Sequence, residues 1–205
     1  MATVNAIAAV CSAITHILET ALEDERATLG FDAMDLSFQV FGAEDFVDRT
    51  IPIGVSVFLY RVVPNLAHRT PAGRLQPDGQ RRRSRLPLDL HLLVTAWGNQ
   101  PDTHNRLVGW MVRTLEDYPT LPPSLLNLQH PDTFGLQESA ELVLDEMPGE
   151  ELLHLWELLG NGETHYQTTI PYVVRAVMID STRNLPTYEP VQVRTLDMQR
   201  IVSDS

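Results

Sequence analysis

The side chains able to do chemistry are scattered, and none of the common catalytic arrangements is complete. Seven histidines stand at positions 16, 68, 91, 104, 130, 154 and 165, and no pair has metal-ligand spacing on one helix face. The nearest approach, Glu151-x-x-His154, puts a carboxylate and an imidazole one helical turn apart. A di-iron carboxylate site needs that half-motif twice plus further glutamates. Here it occurs once, so it reads as an exposed contact on an amphipathic helix. There is no G-x-S-x-G elbow, no G-x-G-x-x-G loop and no H-E-x-x-H motif. Gly160-Asn161-Gly162 precedes Glu163-Thr164-His165 and follows a helix rather than opening one, so it lacks the positive dipole end that holds an anion and reads as a helix stop. A site assembled from distant residues would draw on Asp89, His91 and Glu151 and would need a deep polar pocket around at least one of them. His91, between Leu90 and Leu92, reads instead as a histidine under a helix or at an interface. No catalytic, cofactor-binding or metal-ligating residue is assigned, and the chain is expected not to be an enzyme.

Charge narrows the field further. All fifteen basic residues are arginine. Without lysine, a Schiff-base enzyme and a P-loop are excluded. The single cysteine, Cys11, excludes a disulfide framework and a multi-cysteine metal centre. Between Arg61 and Arg85 lie seven arginines and one acid, Asp78, a local charge of +6 in a chain of net −12, so the remainder carries −18. An acidic body repels nucleic acid and anionic membranes at long range. The run Arg81-Arg82-Arg83-Ser84-Arg85 lacks the interleaved aromatics of a nucleic-acid site. It reads first as a solvated loop and second as a contact with an acidic protein surface, for which a neighbouring copy qualifies, since head-to-tail pairing of unlike patches closes rings.

With 205 residues and 23.1 kDa the chain suits one domain. The start, Met1 to Asn5, has no cationic signal-peptide region, and no unbroken membrane-length apolar run is expected to insert in a bilayer. Cytoplasm is the default compartment.

The elements follow from periodicity. Val4, Ile7, Cys11, Ile14, Leu18 and Ala21 form one helix face, with Thr3 as N-cap and Gly30 as stop. Period two then marks strands at Leu36 to Val40, Val55 to Tyr60 and Leu88 to Thr95. A second helix begins at Thr103 with Leu107, Met111, Leu115 and Tyr118 on its apolar line, and Pro119 stops it. Glu138 to Met147 reads as a strand with Leu142 and Leu144 buried. Pro148 falls in the first turn of a helix that buries Leu152, Leu155, Trp156 and Leu159. Ile170 to Asp180, apolar on nearly both sides, reads as central in its sheet, with Tyr172, Val174, Ala176 and Met178 on one side. The expected fold is α/β (α+β): a single domain over 1–180, with a mixed sheet of about five strands and three main helices. Residues 64–86 form a mobile arginine-rich loop and 181–205 an extended C-terminal arm.

Three segments resemble a known family. Leu88-Asp89-Leu90-His91-Leu92-Leu93-Val94-Thr95-Ala96, Tyr166 to Asp180, and Leu59-Tyr60-Arg61 followed by Pro64-Asn65 and Arg69 are similar to strands of the tail-terminator, or cap, protein of extracellular phage-tail-like contractile injection systems, in its N-terminal domain. The element order agrees over roughly residues 3 to 180, with departures at Leu92, Val94, Thr169 and Thr70. The resemblance implies a non-catalytic structural protein. It would form a homohexameric ring on the membrane-distal end of the inner tube and contractile sheath, end polymerisation and couple tube to sheath. It would assemble in the cytoplasm and travel as part of a released particle. Its interface candidates are Arg74, Arg81, Arg82, Arg83 and Arg85 in the loop and Tyr188, Val191, Val193 and Arg194 in the arm, the latter able to pair with sheath strands by β-augmentation. The alternatives are an adaptor or baseplate module of the same particle and, more distantly, a small hydrolase-like enzyme.

Overall fold

The computed structural model describes residues 2–48, 51–69, 74–75, 81–161, 165–183 and 185, with the backbone alone at 74–75 and 81–82. In chain order the elements are α1 (Ala6–Leu29), β1 (Ser37–Phe41), α2 (Asp45–Asp48), β2 (Gly54–Pro64), a 3-10 turn (Leu66–His68), β3 (Arg74–Leu75), β4 (Arg81–Arg82), β5 (Leu86–Trp97), α3 (Pro101–Asp117), β6 (Thr120–Leu121), α4 (Pro123–Leu126), β7 (Ala140–Leu144), α5 (Gly149–Leu159) and β8 (Thr169–Ile179). One six-stranded sheet runs β1-β2-β5-β8-β7-β6, and β3 and β4 form a separate ribbon. Only β1 and β2 pair in parallel within the sheet; the other neighbours are antiparallel. The mixed α/β class is as expected. The sixth strand and the single turn α2 are additions, too short to show a period; α4 falls where one helical turn around Ser124 to Leu128 is expected.

The helices cover opposite faces. On the first face α1 buries Val10, Ile14, Ile17, Leu18 and Leu22 against Val55, Val57, Leu90, Leu92 and Val174, with α3 beside it through Leu107, Trp110, Met111 and Leu115. By length and composition α1 is apolar enough to cross a membrane; here that apolar surface packs on the sheet, as expected for the core helix of a domain. Its start differs from expectation: Asn5, not Thr3, occupies the N-cap, and Val4 is 80% exposed. Gly30 ends it at φ +70°, its N–H on the Ala27 carbonyl and that of Phe31 on the Arg26 carbonyl, the left-handed stop that glycine adopts at least cost. Proline at N1 sets the start of α3, so Gln100 caps it and Thr103 is buried inside the first turn; Tyr118 sits past the end, exposed.

On the second face lie α2 and α5. Phe46 of α2 meets the rings of Phe41, Phe58, Trp97 and Trp156 at centroid distances of 5.1–6.0 Å. Trp156 is the one buried hydrophobic residue of α5, with Leu152 and Leu159 partly buried beside it. Pro148 is the N-cap of α5 rather than part of its first turn. Leu144, expected inside, is exposed near the end of the short β7.

β1 joins the sheet through an unusually close approach. Gly54 has φ +147°, and a Cβ there would lie 1.9 Å from the Ser37 carbonyl oxygen, a backbone atom that cannot step aside. Replacing Gly54 with Ala is expected to cost about 3 kcal/mol. Urea unfolding followed by circular dichroism checks this through a lower midpoint at unchanged slope.

Candidate docking surface

The polar residues of the resemblance segments converge at one end of the sheet. Opposite Asp89 of β5 lie two residues of β8, Arg175 and Ala176, because the pairing passes from Leu88↔Val177 to Leu90↔Val174. That is a β-bulge, and Ala176 takes φ +57° in it. The bulge reverses the alternation, so the buried face of β8 continues from Tyr172 and Val174 to Val177 rather than to the expected Ala176 and Met178. Asp89 receives the Ala176 N–H at 3.0 Å on Oδ1, and the Asn65 amide donates to both carboxylate oxygens at 3.0 Å. The other end of Asn65 accepts the N–H groups of Ala67 and His68, starting the 3-10 turn, while its own N–H reaches the Pro87 carbonyl at 2.9 Å. Asp89 is therefore a strut that holds the end of β2, the start of β5 and the bulge of β8 together.

A second cluster lies beside it. Arg85 Nε donates to Asp180 Oδ1 at 2.9 Å and Nη2 reaches Glu138 Oε1 at 3.2 Å, with side chains 17% to 34% exposed. The Asp180 N–H donates to the Ala2 carbonyl, and the Thr3 N–H to that of Thr133, so the chain start and the end of β8 are fastened together. A cleft of about 330 Å³ lies here, lined by Ala2, Arg85, Phe134, Glu138 and Met178 among others. From this end the β3–β4 ribbon departs, with Arg74 paired to Arg82 and Leu75 to Arg81.

The candidate residues thus separate. Arg74, Arg81 and Arg82 fall on the ribbon and Arg83 is exposed beyond it, whereas Arg85 is engaged within the fold. Tyr188, Val191, Val193 and Arg194 lie outside the described residues. The scattered trio does not assemble. Asp89 serves the bulge; His91 Nδ1 donates to Asp145 Oδ2 at 2.6 Å, with the Tyr60 ring 6.0 Å away; Glu151 is exposed on α5, and His154 faces Glu157 rather than Glu151. A second cleft of about 420 Å³, between α1 and α3, is lined by Asp24, Glu25, Asp117 and Tyr118 among others and includes none of the trio; nor does the first. Burial, together with Asp145 and Glu151 nearby, pushes the Tyr60 hydroxyl up to about 12.

Thr169, buried at the start of β8, commits its hydroxyl to three partners. Its one proton goes to the Gln167 carbonyl at 3.1 Å, so it accepts from Trp156 Nε1 at 3.0 Å and from the Thr95 hydroxyl at 2.9 Å. That hydroxyl anchors α5 to the sheet. Sequence reading had no signal for Asp145 or Glu138, whose partners lie 54 and 53 positions away.

Replacing Asp89 with Ala leaves the Ala176 N–H and the Asn65 amide without their acceptor and is expected to cost about 2–3 kcal/mol. Ala176→Gly removes the left-handed strain of about 1 kcal/mol and is expected to be neutral or stabilising. Thermal unfolding of the two variants checks both signs.

A family model described as the Pvc16 N-terminal domain matches residues 9–193. Among solved structures, the fold is similar to the chain described as the PVC sheath/tube terminator of an extracellular contractile injection system in its extended state. The TM-score is 0.53 at 18% identity, over 84% of this chain and 59% of that one. The tube-terminating cap of the anti-feeding prophage gives a TM-score of 0.49 at 19% identity, over 71% of this chain and 50% of that one. The chain thus spans 59% and 50% of the lengths of these two proteins. No curated protein matches it. With a match that runs from within α1 to beyond β8, this chain belongs to the family of the Pvc16 N-terminal domain.

Proposed function

We propose that this chain is a structural component that caps the membrane-distal end of the tube and sheath of a contractile injection particle, as a homohexameric ring assembled in the cytoplasm. The observation that carries this reading is the family match over residues 9–193, in a fold similar to a protein described as a sheath/tube terminator. The site chemistry agrees: Asp89 and His91, the most suggestive polar pair of the motif, are each committed to a structural partner. Family membership points away from catalysis and towards binding through the protein's exterior.

The docking element of this reading is the ribbon β3–β4 with Arg83, and its partner an acidic surface of the adjacent copy or of the sheath. Arg85 belongs to the root of that element, not to its tip. Residues 181–205 would supply the sheath contact once the particle assembles.

Deleting the gene in a producing strain and imaging the particles by negative stain tests the role: tubes and sheaths of uncontrolled length are expected, and an unchanged length distribution overturns it. Localisation of the protein at the baseplate end would favour the adaptor reading. Reversing Arg81, Arg82 and Arg83 to Glu is expected to abolish docking on particle ends while the melting temperature moves by less than about 2 °C. Reversing Arg85 as well should destabilise the fold itself, which thermal unfolding separates from docking.

A further inference from the structure

Charge is left unmatched towards both ends of α1. At the far end, Asp24 and Glu25 line the cleft of about 420 Å³ between α1 and α3. Both are exposed and, among the described residues, form no ion pair. The arginines of the two helices are spent elsewhere: Arg26 donates to the Met34 carbonyl, Arg106 to the Leu29 carbonyl and to Asp102, and Arg113 to Asp117. Asp117 puts a carboxylate in the last turn of α3, against the negative end of the helix dipole, where no basic residue stands. Thr114, only 6% exposed, lines the same cleft, and its hydroxyl has no hydrogen-bond partner among the described residues. Tyr118, 45% exposed, adds an aromatic ring to the lining.

Carboxylates, an unpartnered hydroxyl, an aromatic ring and a helix C-terminus together suit a guanidinium, which is planar, donates through five N–H groups and stacks on rings. A metal ion suits the cleft less: among the described residues no three His, Cys, Asp or Glu side chains stand close enough to share one. The near end of α1 supplies the guanidinium. Arg69 and Arg83 are exposed at the Pro64 end of the sheet and, among the described residues, have no ion-pair partner. They are out of reach of the cleft on their own chain. The start of α1 is fastened to Asp180, which holds Arg85, so Arg83 lies within about 7 Å of that root. From Ala6 to Asp24 the helix rises about 27 Å away from it.

We infer that the cleft between α1 and α3 receives Arg83 of a second copy of this chain, with Asp24 and Glu25 as its carboxylates and Tyr118 as its aromatic wall. Such a contact joins unlike patches head to tail, and repeated by a rotation it closes a ring. The inference deepens the ring reading and rests on it, and it names the surface that receives the arginine tip.

A peptide tests the cleft apart from any particle. Arg-Arg-Arg-Ser, residues 81–84, carrying a fluorophore, is titrated by anisotropy into the purified full-length chain with Arg81→Ala, Arg82→Ala and Arg83→Ala, whose clefts other copies no longer fill. Binding is expected to weaken at least tenfold when Asp24→Asn/Glu25→Gln is added and to be unchanged by Glu150→Gln/Glu151→Gln, an exposed pair of equal charge on α5. Equal weakening by both pairs, or no binding before either is added, overturns the inference. Cross-linking reads the contact where copies assemble. On purified particles that retain the chain, Ala21→Cys in the cleft and Ser84→Cys beside Arg83 should be joined between copies by a short bismaleimide. The yield of covalent multimers is expected to be at least tenfold above that of Leu158→Cys/Ser84→Cys, whose first site is exposed on α5. Burial pushes the native Cys11 thiol up to about 11 and keeps it out of the reaction. Equal yields, no multimers, or a bridge within one chain overturns the inference and leaves the capping role standing. That role falls on a different result, an unchanged length distribution after gene deletion.

Discussion

A carboxylate in the middle of a sheet sets the geometry of everything this chain presents to the outside. Asp89 takes up the backbone N–H that the β8 bulge would orphan and grips Asn65 at the exit of β2. A bulge shifts a strand by one residue, and such a shift turns every later side chain to the other face. With the N–H of Ala176 held by Asp89, Val177 returns to the core and Asp180 arrives where Arg85 can bind it. Loss of that one acceptor would release the alternation of β8 and the roots of two outward-going segments together.

The same end of the sheet explains why polar residues in strands need not mean catalysis. Asp89 and His91 stand two apart on β5, and in sequence they resemble the beginnings of a site. Each is engaged by a different partner, Asn65 with Ala176 for one and Asp145 for the other. Groups held apart by separate structural partners do not form one constellation.

The repeating features of the fold were legible in the sequence because burial enforces period. The core face of α1, the alternation of β2 and β5 and the apolar line of α3 all came from that signal. What escaped lies where period is broken or too short. The bulge at Ala176 inverted half of β8, and Pro101 moved the cap of α3 to a glutamine that no capping rule favours. Two-residue β6 and the single turn α2 have no period to read. At the docking end the arginine run was visible, but the division within it was not. Arg83 faces outward and Arg85 inward because Asp180 and Glu138, 95 and 53 positions further on, come home to Arg85. Long-range ion pairs leave no local trace.

That division gives the arginine segment two mechanical parts. Its root is fixed by two carboxylates and by the Asn65–Asp89 strut. Its tip is a two-stranded ribbon, a form marginal on its own in water, in which Arg74 stands opposite Arg82. Like charges directly opposite destabilise a strand pair. Arginines at paired positions of a ribbon therefore favour an anionic surface that lowers their mutual repulsion. The rigid root then decides where that surface has to be.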